Sequence, residues 1–211
     1  MTRYLTVDDA PSATLDEKLD ALAARGVPAL LFCEGRRLDR FPEQAVRAVR
    51  SGVHLGNHTW SHPRAADLSE TAFVREVERT ERRIEAVYDR AGTTRPARFF
   101  RFPYGDGGGD RAADFQRVLR DRGFVGPDRG DRGLVRADWP WTLDVGDWET
   151  DDVSELRARF ESSAGGAGGS GRTGEIVLFH DAGNDPALFE AFVGWLADAD
   201  PELADPLDLL P

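Results

Sequence analysis

The chain has 211 residues, of which 40% are hydrophobic, and a formal net charge of -11. This length allows a substantial core, and we expect residues 1–211 to form a single domain. The excess of acidic side chains argues against a nucleic-acid partner, because phosphate binding needs clustered Lys and Arg. No apolar run approaches the ~20 residues that cross a bilayer, so the sequence also argues against membrane insertion.

The start of the chain and its rarer residues bear on where the protein works. No basic region followed by an apolar stretch opens the sequence, which predicts no signal peptide and a cytoplasmic location. Cys33 is the single cysteine, so no internal disulfide can form. Lys18 is the only lysine among 27 basic residues. This acidic, lysine-poor composition suits a high-salt cytoplasm, and a codon bias towards arginine would explain it equally well.

Short apolar segments alternate with amphipathic segments along the chain. In chain order, the predicted strands are 4–7, 29–32, 53–56, 97–102, 124–125, 141–145 and 176–179. Between and after them, the predicted helices are 15–25, 42–51, 69–91, 112–122, 153–160 and 186–197. The Gly/Ser-rich stretch 165–174 predicts a flexible loop. The alternation predicts an α/β fold with about seven mainly parallel strands, closed or partly closed into a barrel.

Polar residues follow several of the predicted strands. They are Asp8 and Asp9, His58, Tyr104, Asp147 and His180. In parallel α/β folds the C-terminal ends of the strands form the active face. We therefore expect these residues, which lie far apart in sequence, to meet at one rim of the fold.

His58 and His62 are two of only four histidines in the chain. If a helical turn carries them, their positions i and i+4 share one face and both rings can reach one metal ion. A carboxylate from Asp8 or Asp9 would complete a set of three ligands, which leaves a position open for water, as in catalytic metal sites. Zinc is the default for such a set, and cobalt or another first-row divalent ion could replace it.

Four further positions have a chemical interpretation beside an ordinary structural one. Successive side chains of an extended segment point in different directions, so Asp8 and Asp9 could divide metal binding from proton removal. Arg101 could hold a carboxylate through its fork of donors, or lie in a simple proline turn. His180 ends an apolar strand on the expected rim, which favours a general acid over a structural histidine.

The polar segments together resemble the polysaccharide deacetylases of carbohydrate esterase family four, the NodB-homology domain. The matching segments are 6–12, 56–63, 101–104, 144–148 and 178–180, which resemble T-F-D-D-G-P-S, the family's histidine motif, R-x-P-Y, D-x-x-D-W and L-x-H. Val7 and Ala10 depart from the first motif, where the family has Phe and Gly. Ala10 tests whether that turn needs a positive φ, which a Cβ makes costly.

The resemblance implies a distorted (β/α) barrel and a role for each matched residue. Asp8 would be the catalytic base, and Asp9, His58 and His62 would bind the metal. Arg101 would orient Asp8, and Asp147 would support Arg101. The backbone N–H of Tyr104 would stabilise an oxyanion, and His180 would protonate the leaving amine. Trp148 and Leu178 would line the pocket for the acetyl group.

The resemblance also implies the reaction: a metal-dependent hydrolase that removes acetyl groups from an N-acetylated sugar or glycan. Water activated by a metal would equally serve an O-acetyl esterase or an amidohydrolase of a small non-sugar amide. A glycan-binding protein that kept the fold without catalysis is a third possibility. The sequence motifs do not distinguish the N-deacetylase from the O-acetyl esterase or the amidohydrolase.

Overall fold

The computed structural model describes residues 2–128, 136–164, 174–199 and 203–211. The strands are β1 (Arg3–Ala10), β2 (Ala29–Cys33), β3 (His54–Asn57), β4 (Leu143–Asp144) and β5 (Glu175–His180). The helices are α1 (Leu15–Arg25), α2 (Gly35–Arg40), α3 (Pro42–Arg50), α4 (Glu70–Ala91), α5 (Ala112–Asp121), α6 (Val153–Ala164) and α7 (Pro186–Ala199). Most of the predicted loop 165–174 falls outside the described residues.

The five strands form one sheet in the order β3-β2-β1-β5-β4, and every neighbouring pair is parallel. Strands β1 and β5 pair along their length, with Asp8 directly opposite His180. Each strand-to-strand connection carries helix, as parallel pairing requires. The parallel α/β fold expected from the sequence is therefore confirmed.

Two predicted strands appear only as single bridges in the described residues. Phe100 bridges Asn57 at the edge of β3, and Arg98 bridges Phe124 beyond it. Strand β3 ends at Asn57, which is itself the residue that pairs with Phe100. The prediction of about seven strands thus corresponds to five strands and two bridged segments.

The segment before β4 joins the two edges of this sheet. Trp139 N donates to Phe100 O at one end, and Thr142 N donates to Ile176 O of β5 at the other. Within residues 2–128, 136–164, 174–199 and 203–211, the chain therefore closes the sheet through irregular backbone and not through a full sixth and seventh strand. This is the distorted barrel that the resemblance implied.

The two faces of the sheet differ as a period of two requires. Leu5 and Val7 of β1 belong to the main core, together with residues of α1, α3 and α7. Tyr4 faces the barrel interior with Phe99 and Trp139. Asp8 follows the same alternation as Tyr4, so its side chain emerges on the inner face at the carboxyl end of β1.

The helices largely match the sequence prediction. Ser69 caps α4 by accepting a hydrogen bond from Ala72 N at 3.2 Å, and Gly92 ends that helix with a left-handed φ of 76°. Helix α2 was not predicted, because its six residues are too few to show an apolar period. Among the described residues, no helix combines the length and the apolar character needed to cross a membrane.

Candidate active site and metal centre

The expected rim residues meet around one cavity of about 450 Å³ at the carboxyl ends of the strands. Its lining residues are Asp8, Asp9, His58, His62, Tyr104, Trp141, Asp144, Trp148, Leu178, His180 and Ala182. Arg101 and Asp147 lie behind this lining, and both are buried. The structure thus brings together every site residue named from the sequence.

Asp8 and Asp9 both turn towards the cavity, contrary to the expectation for an extended segment. The register of β1 against β2 shifts between Val7 and Ala10, and Asp9 has a left-handed φ of 58°. One carboxylate oxygen of each residue consequently lies 3.6 Å from His58 Nε2. The positive φ falls on Asp9 and not on Ala10, so the alanine in this motif is accommodated without strain.

His58 and His62 are carried by a loop and not by a helical turn, which corrects the expectation from their spacing. Thr59 and His62 have φ values of 65° and 60°, which interrupt any helix. The two imidazole centroids still lie 4.9 Å apart. The loop therefore achieves what the i and i+4 spacing of a helix would have done.

Asp9, His58 and His62 fit a divalent metal ion. One ligand atom from each residue lies within 4.8 Å of the other two. Asp9 Oδ1 is buried and has no hydrogen-bond partner among the described residues, and it lies 3.2 Å from His62 Nε2. Burial and the neighbouring His58 lower the pKa of His62, which favours the neutral imidazole that a metal requires. A buried carboxylate oxygen facing two imidazoles is explained by a cation between them.

The ring of His58 is fixed by its backbone contact. Its Nδ1 lies 2.8 Å from Arg101 O. Only a protonated Nδ1 can donate to that carbonyl, which leaves Nε2 as the free nitrogen facing Asp9. The tautomer needed for metal binding is therefore set by the contact with the Arg101 carbonyl, which lies beside the bridge between Asn57 and Phe100.

Arg101 holds Asp8 in the buried wall of the cavity. Its Nη1 donates to Asp8 Oδ1 at 2.7 Å and to Thr6 Oγ1 at 2.8 Å, and its Nε donates to Trp139 O at 2.7 Å. Burial lowers the pKa of Arg101, and the charge of Asp8 opposes that change. These three contacts leave the second oxygen of Asp8 directed towards His58.

Asp147 contacts His180 and not Arg101, which corrects the support role expected for it. Asp147 Oδ1 lies 3.0 Å from His180 Nδ1, and Oδ2 accepts from His180 N at 2.8 Å. Burial lowers the pKa of His180, but the hydrogen bond and charge of Asp147 outweigh it, so the pKa is raised overall. Asp147 reaches this histidine because β4 pairs beside β5, whereas Arg101 is engaged by β1 and Trp139.

The walls of the cavity are aromatic. Trp148 meets His180 edge to face at 5.0 Å, and the Tyr104 ring lies 4.5 Å from His62. Tyr104 and Trp148 are each 56% exposed, whereas Leu178 is buried at the base. The sequence analysis did not identify Trp141 or Asp144 as residues that line the cavity. Asp144 belongs to the recognised D-x-x-D-W segment, but Trp141 lies outside every motif and gave no signal.

A buried ion pair and hydrogen bonds join the segments that follow β1 and β5. Asp181, next to His180, accepts from Ser12 N at 2.6 Å and Ser12 Oγ at 2.7 Å. The ammonium of Lys18 contacts Asp181 Oδ1 at 2.7 Å, and both side chains are at most 1% exposed. This bridge ties the loop after Asp9 to the loop after His180.

A family model described as polysaccharide deacetylase matches residues 2–125. The chain is 30% identical over 179 residues to the peptidoglycan-N-acetylmuramic acid deacetylase PdaC of Bacillus subtilis, with 84% of this chain and 32% of that protein covered. It is 27% identical over 190 residues to a chitin deacetylase of Amylomyces rouxii, with 87% and 40% covered. The chain therefore spans less than half the length of these two curated relatives.

The fold is also that of a solved carbohydrate esterase. A family 4 carbohydrate esterase from Streptomyces lividans, solved in complex with acetate, superposes with a TM-score of 0.72 at 24% identity. The superposition covers 97% of this chain and 91% of that one. With more than half of its residues matched by the family model, this chain belongs to the polysaccharide deacetylase family.

Proposed function

We propose that this chain is a metal-dependent N-deacetylase that removes the acetyl group from an acetamido sugar or glycan. One observation carries the proposal: three groups of side chains meet in a single cavity. The metal-ligand triad Asp9, His58 and His62 shares this cavity with Asp8, which Arg101 holds, and with His180, which Asp147 holds. A glycan-binding protein has no need of a base and an acid beside a metal site.

The triad supplies the ligands for one divalent ion, which we propose to be zinc, with cobalt as a functional substitute. Such an ion polarises a carbonyl group and lowers the pKa of water. Two imidazole nitrogens and one carboxylate oxygen leave a coordination position free for substrate or water.

Asp8 and His180 divide the proton transfers between them. Asp8 takes a proton from the attacking water, and the contact with Arg101 fixes the direction of its carboxylate. His180 gives a proton to the nitrogen of the leaving amine, and Asp147 fixes the ring that donates it. The two residues are paired across β1 and β5, so both side chains can reach one bound substrate.

The remaining site residues position the acetyl group. Leu178 at the buried base and Trp148 beside His180 provide apolar surface for its methyl group. We propose that the backbone N–H of Tyr104 donates a hydrogen bond to the oxyanion. The exposed rings of Tyr104 and Trp148 offer faces on which sugar rings can stack.

Both named relatives are deacetylases of N-acetylated sugar polymers, which favours a sugar amide over other amides as the substrate. The single-domain organisation, the cytoplasmic location and the absence of nucleic-acid partners stay predictions. Acetate release tests the central proposal directly.

The experiment measures acetate from N-acetylated sugars, O-acetylated sugars and small amides, with metal-stripped chain and after addition of zinc or cobalt. We expect metal-dependent release from an N-acetylated sugar. Asp8→Asn should lower turnover by ~10²–10⁴-fold, the usual contribution of a general base. His54→Ala is the matched control, because His54 lies outside the cavity and should leave turnover unchanged.

Release confined to O-acetylated sugars or to small amides would replace the proposal with the corresponding esterase or amidase. Bound metal without release from any substrate would favour the binding protein. Equal release by stripped and reloaded chain would contradict the role of the metal.

A further inference from the structure

The loop that carries both histidine ligands has a strained backbone. Thr59 and His62 are the two left-handed residues in it, with φ values of 65° and 60°. Such a conformation is costly for a β-branched residue such as threonine and persists only where the surroundings hold it. The contacts that hold this loop therefore also hold the metal ligands.

A single carboxylate on α4 binds the centre of this loop. Glu76 Oε2 accepts from Trp60 N at 2.9 Å and from Ser61 N at 2.8 Å. The hydroxyl of Ser61 lies 3.2 Å from both carboxylate oxygens. Two backbone donors between the histidines are thus satisfied by Glu76.

The rest of the loop is attached elsewhere. Asn57 Nδ2 donates to Val77 O at 2.9 Å, and Asn57 Oδ1 accepts from Thr59 N at 2.9 Å. The carbonyl oxygens of Thr59 and Trp60 accept from the first residues of α2. The hydroxyl of Thr59 accepts from His62 N at 3.2 Å. These contacts hold the loop from β3 and α2, and Glu76 holds the N–H groups of Trp60 and Ser61 from α4.

The two histidines differ in how their rings are supported. His58 has its hydrogen bond to Arg101 O. For His62 Nδ1, the described residues supply no hydrogen-bond partner, and its ring contacts are with His58, Tyr104 and Asp9. The position of His62 consequently depends on the backbone that leads into it.

From this geometry we infer that Glu76 is a positioning residue for the metal site: its carboxylate holds Trp60 and Ser61 so that His62 Nε2 faces Asp9. The inference rests on the proposed metal site and assigns a residue outside every sequence motif to it. Residues that orient metal ligands contribute ~10–100-fold to metal affinity.

The test measures the dissociation constants of zinc and cobalt by competition with a chromophoric chelator, using the full chain. Glu76→Ala should weaken binding by ~10–100-fold. It should also alter the visible absorption of bound cobalt, which reports coordination geometry. Glu76→Gln keeps one acceptor oxygen for the two backbone donors and should restore most of the affinity.

Glu78→Ala is the matched control, because it removes an equal charge from the same helix. Glu78 is exposed and pairs with Arg122 at 2.8 Å, so its loss should leave metal affinity and the cobalt spectrum unchanged. A double variant separates positioning from general destabilisation. If Glu76 acts through His62, Glu76→Ala combined with His62→Ala should bind metal no more weakly than His62→Ala alone.

Unchanged affinity in Glu76→Ala would overturn the inference while leaving the metal site intact. Additive losses in the double variant would also overturn it, since they would show that Glu76 acts independently of His62. A wild-type chain that binds neither metal would overturn the proposed metal site, and the role of Glu76 with it. Retained metal binding without acetate release would instead fault the proposed reaction alone.

Discussion

At the scale of single residues, the directions of the Asp8 and Asp9 side chains are set by a local backbone irregularity and not by the regular alternation of a strand. Asp8 and Asp9 both face the cavity because of the left-handed φ at Asp9. Asp8 is then held by Arg101, whereas no residue in the described part of the chain forms a hydrogen bond with Asp9 Oδ1. The motif predicted which residues meet, but a bulge in β1 that leaves no mark in the sequence decides how they meet.

Asp147 is the residue whose contacts the sequence predicted wrongly. A D-x-x-D-W segment places it at the rim, but spacing alone does not show whether it faces Arg101 or His180. Pairing of β4 beside β5 directs it to His180, whose pKa it raises. The sign of this effect can be measured.

Asp147→Asn should lower the pKa of His180, since an opposite charge within hydrogen-bond reach is lost. A general acid must be protonated to act, so the alkaline limb of kcat/KM should move to lower pH by the same amount. NMR titration of the His180 ring checks the shift independently of activity. Asp198→Asn, which removes an exposed charge paired with Arg25, should leave both unchanged. Identical His180 titrations in wild type and Asp147→Asn would contradict the assignment.

At the scale of elements, the loop that carries His58 and His62 is held between helices α2 and α4. Helix α4 was predicted over almost its full length from its apolar stripe, which includes Phe73, Val77 and Ile84. Helix α2 was not predicted, yet its first N–H groups bind the loop from the other side. Contacts of this kind join residues distant in sequence, so no local pattern could reveal them.

Gly35, the first residue of α2, lies against this loop. A Cβ there would come within 2.2 Å of Trp60 Cε3 and 2.6 Å of Thr80 Oγ1. Trp60 cannot easily yield, because Arg79 stacks on its ring at 3.4 Å. The packing therefore excludes any side chain at this position.

Gly35→Ala should destabilise the fold by ~1–3 kcal/mol, the usual cost of overpacking. Helix propensity alone would predict a small gain for the same change. Gly107→Ala is the control, since a Cβ there meets nothing within 4 Å. Urea unfolding of the two variants decides between packing and propensity. A Gly35→Ala chain as stable as Gly107→Ala would show that the loop moves aside freely.

At the scale of the whole molecule, the order of strands and helices was readable because apolar period and glycine stops agree over most of the chain. A closed or partly closed barrel was also predicted, but the sequence did not show that closure runs through irregular backbone at Trp139 and Thr142. The net charge of -11 marks the surface as acidic, and its connection to a high-salt habitat stays a prediction. Net charge affects how the protein surface interacts with solvent and ions, and it does not predict how the sheet closes.

The buried bridge from Lys18 to Asp181 has a consequence for proteolysis. A lysine-specific endoprotease has one cleavage site in this chain, and the folded protein buries it in the first turn of α1. Cleavage after Lys18 should therefore proceed only from opened molecules, at a rate set by their population. Asp181→Asn removes the charged partner of the buried Lys18 ammonium, so the variant should be cleaved much faster than the wild type. Rapid cleavage of the native chain would contradict the burial of this site. If cleavage is slow, its rate at Lys18 reports how often the native chain opens.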